Sequence, residues 1–589
     1  MTPGQAQLEL HTLAGPTARK LPPCIELLLL AFALAVTASP IASAQNTVET
    51  TPSPTTGQPQ FTIRARVPLT IVDVVVTDQK GHPVHGLKQS DFTLLEDNQP
   101  MHPNSFEEHR SDDAPTAPPT PLNLPPDTFT NAAPTPGDRP LNVLILDSLD
   151  TPIMTQTIVQ QRMVEFVNKM TPGTRLAVLS LSAEGRLSTL QGFTSDHELL
   201  KTAIGSKKIT GQVPRIEDSY QDDPVGPDYI DQDNECNRAA MRGQYTLNAM
   251  NQVARYLSGM PGRKNLIWSA GSFPLAMKDG AKSPGTCYDY TDNLKAADDN
   301  LARAHVVLYP IDPRALDLLA KFGPMHPAVV QQADEHLTLE AMAEQTGGKA
   351  LYNNNDLGGL AIDAIHSGAN FYTLTYTPTN QSYDTRFRTI KVTVDQPNLH
   401  LTYRNGYYAV GPDVTLTGKA VAKVTPMQAA MMRGSLEPTQ ILFKVRVTQS
   451  PTTDAKLSTD NQPDAKQMKP PFRHYTIAYA IDVHGIDFAP GPDGNYRGGF
   501  EYGVRVYNAD GDEIVNSVSK TVNPVLPPAV YKSMLTGGAN AHLDIDLPAT
   551  GNYFLRIAVH DLTTDHVGAI EIPTSSITPN PTPTTTPGK

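Results

Sequence analysis

The sequence predicts a doubly wound α/β unit with a largely parallel sheet, set between all-β modules. Three observations carry this expectation. The run LNVLILD (141–147) is apolar throughout, as in strands covered by helices on both faces. Behind it, Val159, Met163, Phe166 and Met170 recur at three- and four-residue spacing, which places them on one face of a helix. On either side of 140–370 the chain instead alternates β-branched and polar residues over short runs broken by Gly and Asp turns. Strands alternating with helices build parallel sheets, whereas strands alone pair into sandwiches.

A chain of 589 residues exceeds the size of a single core. Its 53 prolines are clustered and mark the linkers and tails. Residues 1–44 read as a secretory signal peptide: Arg19 and Lys20, the apolar run Leu27–Val36, then Ala42-Ser43-Ala44 before the expected cut. That run is too short to span a bilayer, so no membrane span is expected after cleavage. The leader carries Arg19 and Lys20 against Glu9 and Glu26, so the formal charge of -13 is the same without it. An acidic chain with no basic stripe repels phosphate backbones, which argues against nucleic acid as a partner. The expected location is exported, periplasmic or extracellular. There Cys236 and Cys287 are expected to close a disulfide.

Residues 45–60 have almost no apolar content and are expected to be disordered. Residues 61–110 form a small β module, and the Pro-rich 111–139 read as a semi-rigid linker. The α/β unit occupies 140–370. Within it RLAVLSLS and RLSTLQGF form a hairpin, and Ser195 with Glu198 is expected to box the next helix. Leu247, Met250, Ala254 and Leu257 stripe a further helix ahead of the strand NLIWSAG. The strand HVVLYPID and a last strand KALYNN follow. Residues 371–410 are a β extension, joining either the first β module or the α/β unit. A connector at 411–438 carries a short helix with Pro426 in its first turn after Thr425. Residues 439–573 form a β-sandwich of immunoglobulin-like type, and 574–589 a disordered tail.

The order LNVLILDSLDT, NLIWSAGSFP, VVLYPID, AEQTGGKALYNNNDL, FYTLTYTPTN, YRNGYYAV over residues 61–410 resembles the VWFA-related domain proteins of bacteria, relatives of von Willebrand factor type A domains. The resemblance implies a Rossmann-like von Willebrand A fold and an adhesion or protein-interaction role. Metal-binding members of that superfamily hold a divalent cation with Asp-x-Ser-x-Ser after the first strand, a downstream Thr and a distal Asp. Here the triplet reads Asp147, Leu149, Thr151, and Ala270 stands where the distal carboxylate belongs, with Ser269 beside it. Hard cations need several oxygen ligands, so a degenerate, metal-free MIDAS-like loop without a cofactor is expected. The candidate ligand-binding loop is Asp147, Ser148, Asp150 and Thr151, together with Ser269. The alternative is a divalent-cation site rebuilt from Asp147, Asp150 and Thr151 with Asp222, Asp223 or Asp228 of the acidic stretch 217–235, otherwise a solvated loop. Without a cation, Asp147 and Thr151 cap the following helix and bond turn amides.

No catalytic constellation is present in the sequence: no His-Glu-x-x-His, Gly-x-Ser-x-Gly, phosphate-loop lysine or Cys-x-x-Cys motif. His305 reads as a helix-end residue, Asp312 as a turn residue before Pro313, and His82, His85 and His102 as surface or structural residues. The expected function is therefore that of a non-enzymatic, exported interaction module for a protein or cell-surface ligand. An envelope hydrolase using carboxylates of the acidic loop and a passive structural envelope component are the alternatives.

Overall fold

A computed structural model describes residues 69–110, 124–132, 140–151, 153–206, 229–271, 290–314, 327–409, 425–457, 468–511 and 513–578. The signal peptide, the 45–60 segment and Asp222, Asp223 and Asp228 lie outside them. So does Cys287, along with the side chain of Cys236, whose backbone is helical.

The first strands are β1 (Thr70–Thr77), β2 (Phe92–Glu96), β3 (Gln99–Met101), β4 (Pro103–His109) and β5 (Thr128–Thr130). The α/β unit then runs β6 (Leu141–Asp147), α1 (Ile153–Lys169), β7 (Leu176–Leu181), β8 (Leu187–Thr194), α2 (His197–Ile204) and α3 (Tyr229–Ser258). It continues with β9 (Lys264–Ser269), α4 (Thr291–Arg303), β10 (Val306–Ile311), α5 (Pro327–Thr346) and α6 (Leu357–Ala369). Its sheet is mixed, in the order β10-β9-β6-β7-β8; β6, β7, β9 and β10 run parallel and β8 pairs antiparallel with β7. Every residue of β6, β9 and β10 is buried, because helices cover both faces. On one face Leu247, Met250, Leu257, Leu294, Leu301 and Met342 of α3, α4 and α5 pack on Val143, Ile145 and Trp268. On the other, Val159, Met163, Phe166, Leu200 and Leu360 of α1, α2 and α6 pack on Leu144, Leu146 and Ile267. This is the two-sided burial that the continuous apolar runs require.

Two local expectations change in detail. The α2 cap is Asp196, whose carboxylate accepts from the Glu198 and Leu199 amides, because its position one residue nearer the helix gives the shorter reach. The strand expected at KALYNN reduces to a single parallel bridge between Leu351 and Ile311.

After the α/β unit come β11 (Phe371–Tyr376), β12 (Phe387–Val394), β13 (His400–Thr402) and β14 (Gly406–Tyr408). They join the first β module in two four-stranded sheets, β13-β1-β11-β4 and β14-β12-β2-β3. Val72, Val74, Leu94, Tyr372, Leu374, Ile390 and Val392 fill the space between the sheets, and the phenols of Tyr376 (2.6 Å) and Tyr407 (2.9 Å) donate to the buried Glu96 carboxylate. The 61–110 module and the 371–410 extension are thus one sandwich, into which the α/β unit is inserted. His109, at the end of β4, lies opposite Phe371, the first residue of β11, and stacks on its ring at 4.3 Å, so the chain leaves and re-enters the sandwich at neighbouring strand ends.

The last elements are α7 (Pro426–Ala430), β15 (Phe443–Asp454), β16 (Phe472–Ile481), β17 (Ala489–Pro490), β18 (Tyr496–Arg497), β19 (Phe500–Tyr507), β20 (Glu513–Val522) and β21 (Val525–Leu526). They are followed by α8 (Pro528–Gly537), β22 (Ala539–Pro548), β23 (Phe554–Asp561) and β24 (Val567–Pro573). Thr425 and Gln428 form a capping box on α7, with Pro426 in its first turn. Two sheets, β22-β16-β15-β5 and β20-β19-β23-β24, enclose a second sandwich core that includes Val445, Ile477, Val504, Leu543, Ile557 and Ile577. Ile577 shows that the sandwich continues past 573, into the segment expected to be tail, because the sheet still has an apolar gap to fill.

The Pro-rich 111–139 segment is also more than a spacer. Its β5 pairs antiparallel with Lys444, Val445 and Arg446 at the edge of the sandwich. The buried Asn131 amide donates to the Pro438 and Ile441 carbonyls, and its oxygen accepts from the Phe443 amide. A single side chain thereby satisfies backbone groups that a short edge strand would leave open.

Candidate functional site

β6, β9 and β10 end side by side, so the residues following them share one edge of the sheet. Asp147 closes β6 and is 3% exposed. Its Oδ1 accepts from the amides of Leu149 (2.8 Å) and Asp150 (2.9 Å), forming an Asx turn, and its Oδ2 accepts from the Trp268 indole at 2.9 Å. Burial pushes this carboxyl up to about 6, against the pull of the Asp150 amide, the indole and the Leu149 amide. Asp150 is buried too; burial and the neighbouring Asp147 charge raise its carboxyl well above the usual range, opposed by Arg242 and Thr246. Its Oδ2 accepts from the Thr246 hydroxyl at 2.9 Å, and its Oδ1 faces Arg242 Nε at 3.7 Å without a hydrogen bond.

Thr151 lies two residues ahead of α1. Its hydroxyl accepts from the Gly271 amide at 3.2 Å and so ties the first loop to the one after β9, while its carbonyl accepts from Gln156 at 2.9 Å. The Ser148 amide donates to Leu181 O at 2.8 Å, holding the loop against β7. Ser269 is buried, with its hydroxyl lacking a hydrogen-bond partner. The structure therefore brings Asp147, Asp150 and Thr151 together with the strand that carries Ser269.

The residues that fill the expected cation positions do other work. Leu149 packs its side chain onto the core cluster that holds Trp268 and Ala270, and Ala270 is fully buried. An N–H donor aimed at Asp147 Oδ2 takes a lone pair that a cation would use, and neither Leu149 nor Ala270 offers a side-chain oxygen. Among the described residues no group of three or more His, Cys, Asp or Glu is placed to hold a metal, and Asp222, Asp223 and Asp228 of the alternative cation site lie outside them. The acidic stretch 217–235 is not one loop: from Tyr229 it is the start of α3.

Asp312, just past the end of β10, does form the turn its sequence suggests, accepting from the Arg314 amide at 2.8 Å. It is also the centre of a buried network that sequence reasoning missed. Its carboxylate accepts from the Arg314 guanidinium (2.9 Å), Gln332 (3.3 Å) and His336 Nε2 (2.8 Å), and Arg314 reaches on to Glu335 at 2.6 Å. Burial alone would raise the Asp312 carboxyl; the bonds from His336 and Arg314 hold it below the usual value. His336 in turn stacks on Tyr352 at 4.0 Å, and the Tyr352 hydroxyl donates to Glu340. The one available signal was Gln332 and His336, four residues apart and so on one face of α5.

The three histidines of the first module do not share a site: His82 Nδ1 pairs with Asp78 (3.2 Å) and His85 Nδ1 with Glu108 (3.0 Å). His305 ends α4 in a left-handed conformation, with φ 55°. Among the described residues, no helix is long and apolar enough to cross a membrane.

No family model and no curated protein matches the chain. Among solved structures it shows weak similarity to the conserved hypothetical protein BatB from Bacteroides thetaiotaomicron, at 12% identity over 39% of this chain and 98% of that one, with a TM-score of 0.22. A mutant of the PilB minor pilin from Streptococcus sanguinis matches at 10% identity over 40% of this chain and 61% of that one, with a TM-score of 0.21. Three N-terminal domains of the type V pili tip protein Mfa5 from Porphyromonas gingivalis match at 9% identity over 82% and 96%, with a TM-score of 0.21. Similarity at these scores carries no argument, and the functional reading rests on the residues.

Proposed function

We propose that this chain is an exported, non-enzymatic protein-interaction module. In this reading a degenerate von Willebrand A-type unit offers the loops after β6, β9 and β10 to a protein or cell-surface ligand without a metal ion. The observation that carries the proposal is the bond from the Trp268 indole to Asp147, which together with the turn amides uses both carboxylate oxygens at the position where a cation would be gripped. Positive charge at the edge comes instead from the chain itself. Arg242 stands half-exposed beside Asp150, and the more buried Arg314 is committed to Asp312 and Glu335. Arg242 is the group that an acidic ligand would meet, since a guanidinium only loosely paired at 3.7 Å keeps donors to offer.

The test is capture of envelope and extracellular material by the mature chain, with and without chelator, repeated with Arg242→Glu. The expected result is chelator-insensitive capture that the charge reversal abolishes. A saturable rise in melting temperature with millimolar Mg²⁺ or Mn²⁺, or capture lost in chelator, refutes the metal-free reading. Capture unchanged in Arg242→Glu refutes the role of this edge.

A further inference from the structure

We infer that the junction between the first sandwich and the opposite end of the α/β sheet is a binding site for a small tetrahedral oxyanion, phosphate or sulfate, held by Arg263 and Arg404. Ile71 and Asp73 of β1, Arg263 ahead of β9, His305 ahead of β10, and Arg404 beyond β13 line one narrow pocket there.

Arg263 is 5% exposed, yet its Nε and Nη1 have no hydrogen-bond partner, and Arg404 Nε is likewise buried and unbonded. The remaining contacts of Arg263 fix its plane without using those donors: Nη2 donates to the Tyr309 hydroxyl at 3.3 Å, and the guanidinium lies over the Phe371 ring at 4.9 Å. Asp73 is the facing carboxylate. Its Oδ1 accepts from the Thr373 hydroxyl at 2.8 Å, and its Oδ2 stands 3.5 Å from Arg263 Nη1, at ion-pair rather than hydrogen-bond geometry.

Within the pocket lining the two guanidinium charges meet one carboxylate, Asp73, while Asp299 of α4, which is not part of the lining, also attracts Arg404. Two further basic groups stand close by: Lys264, whose ammonium donates to Ala304 O at 2.7 Å and which burial lowers to about 7, and His305, which burial also lowers. Buried guanidinium N–H groups are almost always bonded, and an oxyanion supplies several acceptors at the spacing of the guanidinium fork. The narrowness of the pocket selects a small inorganic anion over a nucleotide. Asp73 opposes the anion, so the expected Kd is on the order of a millimolar. A bound anion would tie the host sandwich to the base of its insert.

The experiment is calorimetric titration of the mature chain with inorganic phosphate, and separately with sulfate, in chloride buffer of matched ionic strength. Saturable binding of either anion is expected, weakened about tenfold or more in Arg404→Met of unchanged circular dichroism; which anion binds identifies its source. Where Arg404→Met fails to fold, Arg404→Lys keeps the charge and the stem and removes the Nε donor, and weaker binding is expected there as well. Absence of saturable binding by wild type, or wild-type affinity in a folded Arg404 variant, overturns the proposal.

Discussion

Replacing Trp268 with Phe tests the central contact of the candidate site through its dependence on pH. The substitution removes the indole N–H that donates to Asp147 Oδ2 at 2.9 Å and leaves a buried oxygen without that donor. The Asp147 carboxyl, at about 6 in the folded chain against 3.8 in the open chain, binds more protons folded than unfolded between those values. Its contribution to stability is therefore fully present below pH 3.8 and is lost as pH rises through about 6. That gap of about two pH units corresponds to about 3 kcal/mol at about 1.4 kcal/mol per unit.

The indole bond limits this loss, since a hydrogen bond to a charged group contributes about 1.5–3 kcal/mol and one to a neutral group about 1 kcal/mol. Trp268→Phe is thus expected to cost about 0.5–2 kcal/mol more at pH 8 than at pH 4.5, beyond a packing loss that is the same at both. Denaturant unfolding followed by far-ultraviolet circular dichroism measures the difference. Trp268 is the only tryptophan in the chain, so wild-type fluorescence also reports the Asp147 titration, with an expected midpoint near pH 6. An equal penalty at both pH values would show that the indole fills space and does not hold the charge.

Asp298 on α4 is 1% exposed with neither oxygen hydrogen-bonded, and burial, then the adjacent Asp299 charge, raises its carboxyl well above the usual value. Asp298→Asn should therefore raise thermal stability at pH 8 by about 1–3 kcal/mol, with the gain vanishing in acid where the wild-type carboxyl is protonated; no gain at pH 8 would contradict this. Asn131→Ala removes three hydrogen bonds that hold the strand after the Pro-rich segment, for about 3 kcal/mol, and limited proteolysis should then cut within 111–139 much faster than in wild type. Mild reduction should lower the melting temperature through loss of the proposed Cys236–Cys287 bridge, worth roughly 4 kcal/mol in the chain-entropy picture; two reactive thiols in the native, oxidised protein would refute the pairing.

Periodicity made the element types legible. LNVLILD had to be a strand covered twice, and the Val159 to Met170 stripe had to be a helix, because each pattern buries its apolar face only in that conformation. That Leu149 and Ala270 offer no oxygen ligand was legible for a similar local reason, while their being positions of a cation site is only what the resemblance implies. Contacts between distant segments were not legible. Trp268 reaches Asp147 across 121 positions, and His336 reaches Asp312 across 24, and neither partner carries a local sign of the other.

The sequence by itself thus determined most of the strands and helices of the α/β unit and that Leu149 and Ala270 carry no side-chain oxygen, since propensity, spacing and functional groups are local properties. Only the tertiary structure decided that residues 69–110 and 371–409 are one sandwich interrupted by the α/β unit, that a Pro-rich segment adds an edge strand to the second sandwich, and that guanidiniums and an indole stand around the buried carboxylates. Those outcomes depend on which backbone edges and buried charges find partners far along the chain, and that is settled only when the whole molecule packs.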